Sequence, residues 1–435
     1  MTTVMLLLAL SIWQDQLQQG KEALRGQNYA EARAHFVKAA RLNPNSAEVF
    51  FYLGMSELRS GAPNAAEQAW RRALKIEPAA APALYNLGVL LLDEKHATEA
   101  ITLFEQARKN GPLTPELSAN LLRAYLDAKQ NKSAFGIVET ADREFEREPA
   151  FHVVAGKLLL EHDLPAPACR ELGAANTLAP SQAEIALPLA AACLAAKDTV
   201  RAKAALDSIF EQPANVELLL KEARLYQKCG DQQKALELLQ KAALADPSLA
   251  EIPYSMAVSY IAADDEPQAI HLLESALRLN PRFDRAEFFL GTIHLSALRL
   301  EQADPLLTAA VKAAPRNPFY QCFVGLLRVN QSRFTEAKEA FDKAESLLPN
   351  YAIPHFYMGR MFKETGNDKE AVAELEKAIA LNPDLPEAYY QLGTLLNRLG
   401  QKEKAEAALK RFQSFRNAED NERANIMREL RQTLR

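Results

Sequence analysis

Cysteine and histidine are the side chains best suited to metal binding, redox chemistry or nucleophilic catalysis, and neither is arranged for it here. Cys169, Cys193, Cys229 and Cys322 are scattered and include no C-x-x-C pair, which argues against a zinc cluster or a disulfide role. The seven histidines form no H-x-x-x-H or H-E-x-x-H motif, and the chain has no G-x-S-x-G elbow and no phosphate-binding loop. The expectation is therefore a non-enzyme with no catalytic residues, no cofactor and no metal. Fifty-one Lys and Arg against fifty-six Asp and Glu leave a net charge of -5, so no basic stripe for nucleic acid stands out. Recognition through a surface remains, and the elements that would build that surface follow from a repeat.

Twelve alanines keep time along the chain: Ala32, Ala66, Ala100, Ala134, Ala168, Ala202, Ala235, Ala269, Ala303, Ala337, Ala371 and Ala405. The interval is 34 residues throughout, apart from 33 between Ala202 and Ala235. A fixed period of this length means one supersecondary unit copied in tandem, each copy needing its neighbours to bury its apolar face. Twelve residues ahead of the ladder stand small residues, among them Gly20, Gly54, Gly88, Gly156, Ala223, Ala257, Gly291, Gly325, Gly359 and Gly393. Seven residues after the ladder run further alanines from Ala39 to Ala378, two helical turns on and hence on the same face. Prolines follow at Pro44, Pro78, Pro112, Pro180, Pro247, Pro281, Pro315, Pro349 and Pro383. In the third copy Leu84, Leu87, Gly88 and Leu91 form one helical stripe and Ala100, Leu103, Phe104 and Ala107 a second. Each copy thus reads as two antiparallel helices that approach closely at the small residues, with proline ending the second.

The pattern resembles the tetratricopeptide repeat, as the second copy (Phe50, Leu53, Gly54, Ala66, Trp70, Ala73, Pro78) and the third (Leu84, Leu87, Gly88, Leu91, Ala100, Phe104, Ala107, Pro112) display. The resemblance implies an all-α fold, a right-handed α-solenoid of stacked helical hairpins. Twelve repeats would occupy residues 13–416 as one solenoid, irregular near 115–149 and 183–215. In the first irregular stretch Leu122 takes the glycine slot, Glu146 stands where proline is expected and Pro149 arrives late; the second is a residue short and carries Pro188 within a first helix. Pro305 falls within a second helix. Tolerated drift and a hinge between two sub-arrays are both open readings of 183–215. His152, His294 and His355 fall where the family places large packing residues, so core or half-buried packing positions are expected for them, and Cys193 likewise takes an apolar slot as a buried thiol.

Two segments flank the repeats. Val4 to Leu10 is wholly apolar within an N-terminal stretch, residues 1–12, and is too short to span a membrane. It reads as a possible signal peptide, although no Lys or Arg precedes it. The sequence favours an extracytoplasmic location, with a cytoplasmic one as the alternative. Residues 417–435 space Ile426, Met427, Leu430 and Leu434 amphipathically, as expected of a capping helix.

In tetratricopeptide arrays the first helices line the inside of the superhelix, where a peptide or a partner's helix commonly lies. The inward slots, counted from the Leu-Gly pair, hold Tyr254, Phe288, Leu326, Phe356, Arg360, Lys363 and Tyr390, with Phe319 close by. Aromatic and guanidinium groups often dominate binding energy, so these residues form the expected partner-binding groove; packing between helices is the competing explanation. Glu48, Glu184, Glu217, Glu251 and Glu387 also point inward and are explained by the helix N-terminal dipole. The carboxylate clamp of chaperone-binding arrays is not reproduced. Asn86 matches its central residue, but Phe51, Met55, Glu116 and Asn120 stand where Lys, Asn, Lys and Arg are needed. A non-enzymatic scaffold for protein or peptide partners is the leading functional expectation. An envelope assembly or secretion factor is the alternative, and a non-catalytic relative of repeat-bearing glycosyltransferases a remote third.

Overall fold

A computed structural model describes the backbone of residues 2–415 and the side chains of residues 12–415; the expected terminal helix over 417–435 lies outside the described residues. The chain divides into two compact units, Met1–Gln212 and Pro213–Arg435. Every regular element among the described residues is a helix.

The first unit contains α1 (Thr2–Arg25), α2 (Tyr29–Leu42), α3 (Ala47–Arg59), α4 (Pro63–Ile76), α5 (Ala81–Asp93), α6 (Ala97–Asn110), α7 (Pro115–Asp127), α8 (Asn131–Glu144), α9 (Pro149–Glu161), α10 (Pro165–Leu178), α11 (Ala183–Ala195) and α12 (Thr199–Asp207). The second contains α13 (Val216–Lys228), α14 (Gln232–Ala245), α15 (Glu251–Ala262), α16 (Glu266–Leu279), α17 (Asp284–Ser296), α18 (Leu300–Ala313), α19 (Pro318–Asn330), α20 (Phe334–Leu347), α21 (Ala352–Glu364), α22 (Asp368–Leu381), α23 (Pro386–Arg398) and α24 (Lys402–Gln413). Odd-numbered helices open each hairpin and even-numbered ones close it, as in the α-solenoid class. The N-terminal apolar stretch does not stand apart from this plan, because α1 runs unbroken from Thr2 into the first hairpin.

The twelve ladder alanines lie on the second helices, and their exposure is 0% in every case but Ala405, at 2%. The small residue of each first helix explains why. A Cβ placed on Gly88 would stand 2.6 Å from the Phe104 ring, and one on Gly325 would stand 2.5 Å from Phe341. Gly20 and Phe36, Gly54 and Trp70, and Gly156 and Leu172 repeat the arrangement, always with the large residue sixteen positions on. The recess and the side chain that fills it thus belong to one hairpin, where close packing leaves no room for another methyl group. Leu122 reverses the sizes: it is buried in the recess position, and sixteen residues on stands the smaller Val138, also buried.

The turn inside each hairpin keeps the same beat. Gln27, Gly61, Lys95, Lys129, Asp163, Lys197, Gly230, Asp264, Leu298, Ser332, Gly366 and Gly400 all have left-handed backbone, with φ between 57° and 79°. Only four of the twelve are glycine, so the other eight carry a steric cost at the turn. Pro188 and Pro305 sit inside continuous helices, α11 and α18, and Pro149 is the first residue of α9, where its missing N–H removes no helical bond. The short copy coincides with α12, which ends at Asp207 after nine residues while α10 and most other second helices run for fourteen, about four turns.

Candidate protein-interaction face

Within each unit most neighbouring first helices are in contact, so residues at the same repeat position form rows across them. The α15–α23 rows hold the eight aromatic, apolar and cationic residues expected to meet a partner. Four of these are packing groups. Phe288 is 1% exposed, stacks on Tyr320 at 4.5 Å between centroids and meets Phe323 edge-on at 5.2 Å. Tyr254 is buried against Phe283 and Phe289 and lies beneath the Arg285 guanidinium, 4.9 Å from the ring centroid. Burial pushes the Tyr254 phenol up to about 12. Phe356, beside Tyr357, and Leu326 are also buried. Tyr254 and Phe288 thus pack between neighbouring first helices, and all four side chains are largely enclosed in this structure.

The other four remain half-buried on that face. Phe319 meets Tyr351 edge-on at 5.2 Å, and Tyr390 lies 5.1 Å from Phe412. Arg360 sits over Phe356 and Tyr357, 5.8 and 5.9 Å from their centroids, within cation–π range. Lys363 donates from Nζ to Gln391 Oε1 at 2.7 Å and to Thr394 Oγ1 at 2.9 Å. These four groups bring aromatic area and positive charge that are not wholly enclosed.

Charge is also ordered across the rows. Glu251 on α15 pairs with Arg224 on α13 at 3.2 Å and with Arg285 on α17 at 2.6 Å. Glu48 on α3 pairs with Lys21 on α1 at 2.5 Å. These glutamates therefore tie successive hairpins together as well as sitting near helix N-termini, while Glu387 is buried outright. Asn86 turns back on its own helix, donating to the Pro82 carbonyl at 2.8 Å.

Sequence reasoning missed three buried features. Cys169 on α10 and Cys193 on α11 form a disulfide with their Cα atoms 4.8 Å apart. The expectation against a disulfide role, and with it that of Cys193 as a simple buried hydrophobe, is corrected, because two helices adjoining across a repeat boundary bring the two cysteines face to face. The second feature is a histidine held between two carboxylates, seen in each unit. His152 on α9 lies 3.1 Å from Glu171 on α10 and 3.6 Å from Asp142 on α8. His355 on α21 lies 2.7 Å from Glu374 on α22 and 3.7 Å from Glu345 on α20. In both, one carboxylate is nineteen residues after the histidine and the other ten before it. The histidines do occupy packing positions, but polar ones. The Glu171 hydrogen bond raises the His152 pKa, and burial with the neighbouring Glu171 charge pushes Asp142 up to about 6. Against its own burial, hydrogen bonds from His152 and Arg170 hold Glu171 below the usual carboxylate value. The third feature is Glu222, buried in a position where copies such as the second and third carry leucine, and pushed by burial up to about 7. The missed signal for the paired histidines was the shared offset of their acidic partners.

Comparison with known proteins agrees with the repeat architecture. Models described as tetratricopeptide repeat match residues 17–81, 53–113, 85–149 and 254–318, and also 216–249 and 386–418. A TPR repeat model matches 359–400. No curated protein matches the chain. Among solved structures, the Cut9–Hcn1 hetero-tetramer of the APC/C is 14% identical, with 98% of this chain and 97% of that one covered and a TM-score of 0.47. Yeast Tom70 is 14% identical over 97% and 95% of the two chains, with a TM-score of 0.44. MamA from Desulfovibrio magneticus RS-1 is 24% identical over 39% of this chain and 96% of its own, with a TM-score of 0.36.

Proposed function

Because the chain belongs to the tetratricopeptide-repeat family, we propose that it is a non-catalytic scaffold that binds a peptide or helical segment of a partner protein along its first helices. The observation that carries this reading is that every described helix, from Thr2 to Gln413, is part of a repeat hairpin, so the face built by repetition is what the molecule offers. The half-buried strip of Phe319, Arg360, Lys363 and Tyr390 is the part of that face best suited to contact, combining aromatic area with guanidinium and ammonium groups. Affinity capture with the wild type and a Phe319→Asp, Arg360→Asp double variant tests it. Loss of a saturable partner with an unchanged melting temperature is expected; equal capture by both proteins removes this strip from the binding site.

A second reading places that scaffold outside the cytoplasm, as an assembly or secretion factor. The Cys169–Cys193 disulfide supports it, since such bonds persist in oxidising compartments and are rare in reducing ones. The apolar run Val4–Leu10 points the same way. Thiol labelling of protein taken directly from cells tests this reading: protected Cys169 and Cys193 are expected after export, whereas labelled thiols under denaturing conditions would place the chain in a reducing compartment.

A further inference from the structure

We propose that Asp142, His152 and Glu171 form a binding site for a divalent transition-metal ion of the zinc type. The three side chains come from three successive helices, α8, α9 and α10, so the donors are fixed by packed elements and not by a loop. Their ligand atoms all lie within 4.8 Å of one another. Donors bound to zinc at about 2 Å in a tetrahedron stand roughly 3.3 Å apart. The 3.1 Å from His152 Nδ1 to Glu171 Oε2 and the 3.6 Å from Nδ1 to Asp142 Oδ1 already bracket that edge. Glu171 is 1% exposed and His152 4%, so two of the donors are held away from water. The Asp142 side chain is half-buried and forms the rim, through which an ion and a fourth, water ligand can enter.

The sister cluster in the second unit gives an independent argument. There the carboxylate of the preceding helix, Glu345, is neutralised by Lys377 at 2.5 Å. The residue at the matching position in the first unit is Ala174, and Asp142 Oδ1 is left buried without a hydrogen-bond partner. No side chain in the first unit thus takes the place of Lys377 on that oxygen, which is aimed at the histidine. Arg170 contributes differently: its Nε donates to Glu171 Oε1 at 3.1 Å, which leaves Oε2 turned towards His152 and fixes the carboxylate as outer partners of metal ligands do. One imidazole with two carboxylates is a donor set that suits zinc, cobalt or manganese better than calcium or magnesium.

Calorimetric titration of the chelator-treated full chain with zinc chloride tests the site, with cobalt absorption as a second readout. One saturable site is expected, with cobalt giving the visible bands of a low-coordinate ion. Affinity is expected to fall at least tenfold in Asp142→Asn and in His152→Asn, and to stay unchanged in His355→Asn. Asp142→Asn, on the rim, keeps the test decisive if His152→Asn does not fold. Absence of saturable binding, or binding equally strong in both Asp142→Asn and the wild type, overturns the proposal.

Discussion

The two units build the same hairpin from the same ladder but fill the variable positions differently. In the second, the first helices interlock through rings, with Tyr254, Phe289 and Phe288 in consecutive contact and Phe288 meeting both Phe323 and Tyr320. In the first, the boundary between the fifth and sixth hairpins carries a disulfide, whereas a buried histidine between carboxylates stands at a hairpin boundary of both units. The contrast teaches that the ladder fixes the spacing of a hairpin while leaving the join between hairpins to local chemistry, which can be aromatic, ionic or covalent.

The sharpest way to break the comparison is to remove a ring from the second unit. Phe288→Ala should cost about 3 to 5 kcal/mol, the usual loss for a fully buried phenylalanine, read from denaturant unfolding. Unchanged stability together with lost partner capture would return Phe288 to the binding face. In the first unit, a Cys169→Ala, Cys193→Ala double variant should lose about 3 kcal/mol, as expected for a loop whose ends are 24 residues apart. A melting transition indifferent to reductant would show that the covalent join contributes nothing.

A smaller effect depends on pH. The Glu222 carboxyl has a pKa pushed up to about 7, above its unfolded value, so its neutral form is what the fold favours. Its contribution is complete below the unfolded pKa and is lost as pH rises through about 7. Glu222→Gln should therefore gain stability over the wild type between pH 6 and 8, by about 1 to 2 kcal/mol at the upper end; stability curves that stay parallel across that window would assign the carboxyl an ordinary pKa. The smallest change expected is at Leu298, exposed at a turn with φ 57°. Leu298→Gly should add about 1 kcal/mol by relieving left-handed strain, and a lower melting temperature would mean that the leucine side chain contributes more than the strain costs.

Much of the fold was legible because packing at the recess demands small residues at fixed intervals, and Gly88, Ala100 and Ala107 write that demand into the sequence. The turn was legible too, since Gly366 and Gly400 lie one period apart at left-handed positions, but Lys95 and Leu298 disguise the row. The face was less so. Phe288 sits at a slot that points inward by offset, yet Tyr320 and Phe323 on the next first helix pack against it, and spacing along the chain does not record how far a large side chain leans sideways. Cys169 and Cys193 were illegible for a related reason: their meeting depends on how one hairpin docks on the next, which no spacing within a repeat records.

The recess at Gly88 and the ring of Phe104 lie within a single hairpin, and that containment bears on inheritance. Recombination that duplicates or deletes whole copies never parts such a couple, so the array can lengthen or shorten while each new copy arrives already able to fold against its neighbour. His152 and Asp142 straddle a seam, and would be divorced by the same event.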